Sequence, residues 1–194
     1  MRREKGAITE ALFSPAEYDV ICIQEPPTDY FNPYKLRYWL IRGSKESKTA
    51  IYLHRKHKKN TWEYLTPSPF YTRLRLQHVY IYCFYSPISK GSGHWPTPFH
   101  DLLQQPLPGP TLLVGDANLH HPLWDAYDRS SAGASSLLDL AAAWGLDLLT
   151  PKGQKTRLGT SRERASTIDH IWTSFSTSTT YLSQLDLLGS DHRP

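Results

Sequence analysis

At 194 residues the chain is long enough for one domain with a sizeable core and short for two. Its 22 lysines and arginines outnumber 18 aspartates and glutamates, an excess that suits a polyanionic partner but also ordinary solubility, so charge alone does not choose between them. Cys22 and Cys83 stand in apolar runs without ligand spacing, which argues against a disulfide framework or a zinc site. With no apolar core in Met1 to Gly6 and no run near the ~18 apolar residues of a membrane span, the chain is expected to be intracellular and soluble.

Val20 to Gln24 is a short β-branched run stopped by Pro26-Pro27, which places Glu25 at the carboxyl end of a strand. Tyr38 to Ile41, Thr49 to Leu53 and Trp62 to Leu65 read as further strands, the last two parted by a basic turn from His54 to Asn60. Arg73 to Tyr85 begins with alternation and becomes continuously apolar, as a hairpin with a central second strand would. The Pro-, Gly- and Ser-rich stretch from Ser86 to Pro110 is a connection with a short helix near Pro98 to Gln105, and Thr111 to Gly115 is a buried-type strand that delivers Asp116. Ser135 to Trp144 has helical spacing at Leu137, Leu140, Ala141 and Trp144; Ser136 and Asp139 form a start signal and Gly145 suits the C-terminal cap. Leu146 to Leu149, Ile168 to Thr173 and Gln184 to Leu188 complete the strands.

Many strands with few helices fit an α+β domain of two packed sheets covered by helices, and in such sheets ligands collect where strand ends emerge. Glu25, Tyr85 and Asp116 all fall at such ends. In Gly115-Asp116-Ala117-Asn118, the glycine lets the strand turn, Asp116 can accept a proton from water, and Asn118, two residues on, can share its side of an extended segment and donate its amide to a phosphate. The same four residues, taken alone, also fit an Asx turn. Glu25 alone fits a solvated strand end, and Tyr85 alone fits one core-rim aromatic among 12 tyrosines.

Four motifs in order, Gln24-Glu25-Pro26, Gly115 to Asn118, Ser166-Thr167-Ile168-Asp169 and Gly189-Ser190-Asp191-His192, together resemble the active-site signature of the endonuclease/exonuclease/phosphatase superfamily. Residues 116–125 (DANLHHPLWD) and 166–174 (STIDHIWTS) are most similar to the endonuclease domain of LINE-type (non-LTR) retrotransposons, particularly fungal ones, over about Tyr18 to Pro194. The resemblance implies a four-layer α/β sandwich, two mostly antiparallel sheets flanked by helices, in a single domain. It implies Mg²⁺ or Mn²⁺ held by Glu25 and Asp191, because hard cations prefer carboxylate oxygen. It also implies that Asp116 activates water, that Asn118 and Tyr85 bond phosphate oxygens, and that Asp169 orients His192 toward the phosphate or the leaving oxygen. His120 and His121 lack further ligands at zinc spacing and are expected to line the loop near the phosphate or to face solvent.

Activity and partner follow from the same resemblance: a nuclear, metal-dependent enzyme that nicks target DNA so that a 3′ hydroxyl can prime reverse transcription. The basic turn, through Arg55, Lys56, Lys58 and Lys59, together with Arg73 and Arg75, is expected to hold the DNA backbone outside the catalytic cleft. The pattern departs from the family in three places. Ala117 replaces a larger residue, Met1 to Glu17 holds no asparagine where the family opens on an Asn-bearing strand, and the chain stops at Arg193-Pro194 before a closing strand. The first and last family strands are therefore expected to be missing, leaving sheet edges open to association. An inactive retrotransposon relic that keeps weak nucleic-acid binding, and a small-molecule phosphoesterase on the same fold, stand as alternatives.

Overall fold

The computed structural model describes residues 18–26, 37–44, 46–65, 68–88, 98–107, 109–161 and 164–176. Both chain ends expected to lack a family strand, the expected strand from Gln184 to Leu188, and the proposed site residues Asp191 and His192 lie outside these.

Two sheets form. The first has three antiparallel strands, β1 (Val20–Gln24), β2 (Tyr38–Ile41) and β3 (Thr49–His54), with β3 in the middle. The second has six, β4 (Trp62–Tyr64), β5 (Tyr71–Leu76), β6 (Val79–Tyr85), β7 (Thr111–Asp116), β8 (Asp147–Leu148) and β9 (Asp169–Thr173), in the order β4-β5-β6-β7-β9-β8. Every pairing is antiparallel except β6 with β7. That parallel pair needs a crossover, and the connection after β6 carries helix α1 (Pro98–Leu103).

Strand alternation builds the core between the sheets. Ile41, Ile51 and Leu53 from the small sheet meet Leu74, Ile81 and Cys83 from the large one. Polar contacts also cross this layer: Thr49 Oγ1 lies 2.9 Å from Thr72 Oγ1, which satisfies both buried hydroxyls, and the Cys83 thiol meets the Gln24 amide and the Ile23 carbonyl at 3.5 Å. The opposite face of the large sheet presents Tyr82, Phe84, Leu113 and Trp172 to α1 and to α2 (Ala134–Trp144).

Helix α2 buries Ala134, Leu137, Leu140, Ala141 and Trp144, a single stripe at helical spacing. Its start differs from expectation. The helix begins at Ala134, with no side-chain cap, so Ser136 lies within the first turn. The Ser131 carbonyl accepts the Ala134 N–H at 3.0 Å and supplies by backbone what a serine cap would have supplied. Its end matches: Gly145 has φ 56, and the Leu146 N–H returns to the Ala141 carbonyl at 2.8 Å.

The basic segment after β3 is more than a turn. β3 belongs to the small sheet and β4 to the large one, so residues 55–61 carry the chain between sheets, ending in a 3₁₀ turn at Lys59–Thr61.

Candidate active site

Strand register brings the candidate residues together. On three neighbouring strands, Tyr85 lies opposite Asp116, and Asp116 opposite Asp169. β1 packs across β6 and β7 from the other sheet, and Glu25 at its carboxyl end meets this row. The Tyr85 hydroxyl is hydrogen-bonded to the Glu25 carboxylate. Burial first, then the Glu25 charge and this hydrogen bond, then the Asp116 charge raise the Tyr85 pKa above its ordinary value, so the phenol stays a proton donor. Glu25, Tyr85, Asp116 and Asp169 thus share one end of the two sheets.

The backbone is unusual at two of these positions. Glu25 has φ 46 and Asn118 φ 48, in the left-handed region that non-glycine residues seldom occupy. At Glu25 the bend is held by its N–H to the Lys48 carbonyl, 2.8 Å, and Lys48 Nζ stands 4.0 Å from the carboxylate. At Gly115 the reason for glycine is proximity: a Cβ would collide with the Phe84 carbonyl oxygen on β6.

Asp116 is 5% exposed. Its Oδ1 accepts the Asn118 N–H at 2.8 Å and its Oδ2 the Asn118 side-chain amide at 3.0 Å. That amide also donates to the Ser86 carbonyl at 2.9 Å. The expectation that Asp116 and Asn118 share one side of an extended segment is therefore corrected. The chain turns at Asn118 into an Asx turn, which makes the asparagine the immediate support of the aspartate. Asp169 is set by its N–H to Thr156 Oγ1, 3.0 Å, and Ile168 ties back to the motif by accepting the Ala117 N–H at 2.8 Å.

The next residue, His170, points the other way. It is fully buried among Trp124 and Trp172, donating Nε2–H to the Thr167 carbonyl at 3.1 Å, while Nδ1 meets no partner among the described residues. Burial pushes its pKa down to about 4, against smaller opposing effects of the Thr167 carbonyl, Asp169 and Asp125. Trp124 stacks edge-on at 4.7 Å and bonds the Leu119 carbonyl, which pins the segment Leu119 to Asp125 against β9.

The cations expected to hold the DNA backbone outside the cleft stand apart from this row. Because β3 runs antiparallel to β1, the segment after His54 lies by Asp19 just before β1, six residues from Glu25 and so roughly 20 Å away. Lys56 pairs with Asp19 at 2.9 Å, while Arg55 and Lys59 lie over the Trp39 ring at 4.3 and 5.4 Å. Arg73 bonds Gln105 at 2.9 Å, and Arg75 pairs with Glu63 at 2.8 Å. A different set of cations, Lys152, Lys155, Arg157 and Arg164, stands on the connection from β8 to β9, which ends at Asp169 itself. Its signal is present in the sequence, since residues 152–164 hold five cations and one acid.

Does the donor set suit a hard divalent cation? Glu25 and Asp116 offer carboxylate oxygens and Tyr85 a hydroxyl, while the nearby Cys83 thiol is buried and taken up by the Gln24 amide and the Ile23 carbonyl. Among the described residues no three of His, Cys, Asp and Glu gather into a closed cage. A cation that keeps most of its water and takes one or two carboxylates fits such a set, which is the habit of Mg²⁺.

The fold has known counterparts. The endonuclease domain of TRAS1, a telomere-specific non-LTR retrotransposon, superposes with TM-score 0.65 at 17% identity, covering 96% of this chain and 86% of its own. A humanized D. rerio TDP2 carrying 14 mutations gives 0.54 at 13% identity, covering 99% and 88%. CdtB, the biologically active subunit of cytolethal distending toxin, gives 0.54 at 11% identity, covering 100% and 90%. These likenesses establish the endonuclease/exonuclease/phosphatase fold. No curated protein sequence matches the chain. The profile described as endonuclease-reverse transcriptase matches residues 79–194, which include Tyr85, Asp116, Asn118 and Asp169, and the chain therefore belongs to that family.

Proposed function

We propose that this chain is a divalent-metal-dependent phosphodiesterase that nicks DNA. The observation that carries the reading is the register row, Tyr85 beside Asp116 beside Asp169, capped by Glu25 from the second sheet. A bound Mg²⁺ would be held by Glu25 with Asp191 and would neutralise charge on the phosphoryl oxygens.

The chain's own groups do the rest. Asp116, nearly buried and fixed by two bonds from Asn118, takes the proton of the attacking water. Tyr85 supplies a phenolic O–H that stays protonated at any physiological pH, bonding Glu25 or a phosphate oxygen. Asp169 orients His192, whose imidazole stabilises the charge that grows on phosphorus. Lys155, Arg157 and Arg164, on the connection leading to Asp169, meet the phosphates beside the cut, and Arg55 to Lys59 meet a more distant stretch of the duplex. One superposable TDP2 structure (TM-score 0.51, 14% identity) is a complex with single-strand DNA product, which favours DNA over a small phosphoester.

The test is nicking of supercoiled plasmid with Mg²⁺ or EDTA. Relaxed circles that form with Mg²⁺ and vanish with EDTA or Asp116→Ala are expected. Equal cleavage by the Asp116→Ala chain would refute the assignment. Intact plasmid with a retained DNA mobility shift would favour the inactive relic.

A further inference from the structure

The segment after the Gly115–Asn118 motif contains a second imidazole–carboxylate pair that the mechanism above leaves unused. His120 Nδ1 lies 2.7 Å from Asp125 Oδ2, and Asp125 is 1% exposed while the His120 ring is 27% exposed. The other Asp125 oxygen accepts the Thr167 N–H at 3.1 Å. With one oxygen on the backbone and the other on the ring, the carboxylate holds the imidazole in one orientation and directs Nε2 outward. Among the described residues no group meets that Nε2.

Along the chain the pair stands next to the residues of the cleft. His120 is two residues beyond Asn118, so their Cα atoms lie within roughly 8 Å. Thr167 is two residues before Asp169. The segment is also rigid. Ser131 brackets His120, its N–H on the His120 carbonyl at 2.8 Å and its Oγ on the His120 N–H at 2.9 Å. The N–H groups of Trp124 and Asp125 both return to the His121 carbonyl, and the buried Trp124 ring anchors the turn. A buried carboxylate is costly unless paired, and a neutral amide could have accepted the Thr167 N–H alone. The charge at position 125 serves the histidine.

We propose that His120 is a second phosphate-binding residue of the cleft, gripping through Nε2–H a backbone phosphate next to the scissile one, with Asp125 as its positioning residue. This rests on the nuclease reading for its ligand. In the bound state the imidazolium stands between two anions, Asp125 on Nδ1 and the phosphate on Nε2, with both ring nitrogens donating.

The experiment measures affinity of the full chain for a short fluorescein-labelled DNA duplex in EDTA, by anisotropy, beside plasmid nicking in Mg²⁺ and thermal unfolding. His120→Ala should weaken duplex binding about tenfold, the worth of one charge-assisted hydrogen bond, when measured well below an unfolding midpoint that itself falls because Asp125 loses its partner. Asp125→Asn keeps an acceptor for Thr167 and turns a donor toward Nδ1, which leaves a neutral ring with its proton on Nε2; it should weaken binding by part of that factor, and the double variant no more than His120→Ala. Unchanged affinity in His120→Ala, in a chain that still nicks plasmid, would overturn the inference and leave the nuclease reading standing. Lost affinity in a chain that never nicks would keep the inference and overturn the cleavage reading. An unaltered chain that binds no duplex would overturn both. A purely structural pair would show as a lowered midpoint in His120→Ala with affinity intact.

Discussion

Acid should loosen this protein through His170, one residue past Asp169. The imidazole is buried and neutral, and its pKa falls from an ordinary 6.5 to about 4. The unfolded chain therefore takes up a proton near pH 6.5 that the folded chain refuses until about pH 4. The stability from this site is intact above the unfolded value and is lost as pH falls through the window between the two. At about 1.4 kcal/mol per pH unit the loss between pH 7.5 and 5 is about 2 kcal/mol, and the limit well below pH 4 is about 3 kcal/mol. Other groups titrate over the same range, so the measurement is a difference. Urea unfolding of the unaltered chain and of His170→Phe, followed by the fluorescence of the adjoining Trp124 and Trp172, is taken at both pH values. The variant loses the bond to Thr167 and starts less stable, but its further loss on acidification should be about 2 kcal/mol smaller. Equal losses in the two chains would refute the reasoning and place the titrating group elsewhere.

Gly115→Ala should cost about 3 kcal/mol or more, read as a shift in the urea midpoint, because the new methyl meets the Phe84 backbone rather than a side chain that can swing away. Asp116→Ala should lower the nicking rate a hundredfold or more while duplex affinity in EDTA stays near that of the unaltered chain, since a general base acts in the transition state. Tyr85→Phe should fold normally and slow nicking about tenfold or more, and the unaltered Tyr85 should add no inflection to the rate below pH 10 because its pKa is raised. Asp169→Ala and His192→Ala should each impair turnover, with the double variant little worse than either; additive losses would show that the two act apart.

Much of this was legible in the chain itself. Short β-branched runs stopped by Pro26, Gly115 or a turn marked nearly every described strand, and the stripe from Leu137 to Trp144 with Gly145 marked the long helix, because local sterics and burial period act within a few residues. The ordered motifs pointed to one phosphodiester-cleaving pocket for the same local reason, a carboxylate or phenol at each strand end. Pairing was beyond reach of that reasoning. That Tyr85, Asp116 and Asp169 stand in one row depends on which strands neighbour which and in what register, and these are fixed by pairings between residues up to 61 positions apart. The same holds for the cations. Residues 54–60 read as a simple turn, yet they cross between sheets at the end away from Glu25, whereas the connection from β8 lays Thr156, flanked by Lys155 and Arg157, on the Asp169 N–H. Asn118 shows the limit most closely: its spacing from Asp116 was visible, but the left-handed turn that aims it back at that carboxylate appears only once Ser86 on the neighbouring strand end supplies the second acceptor.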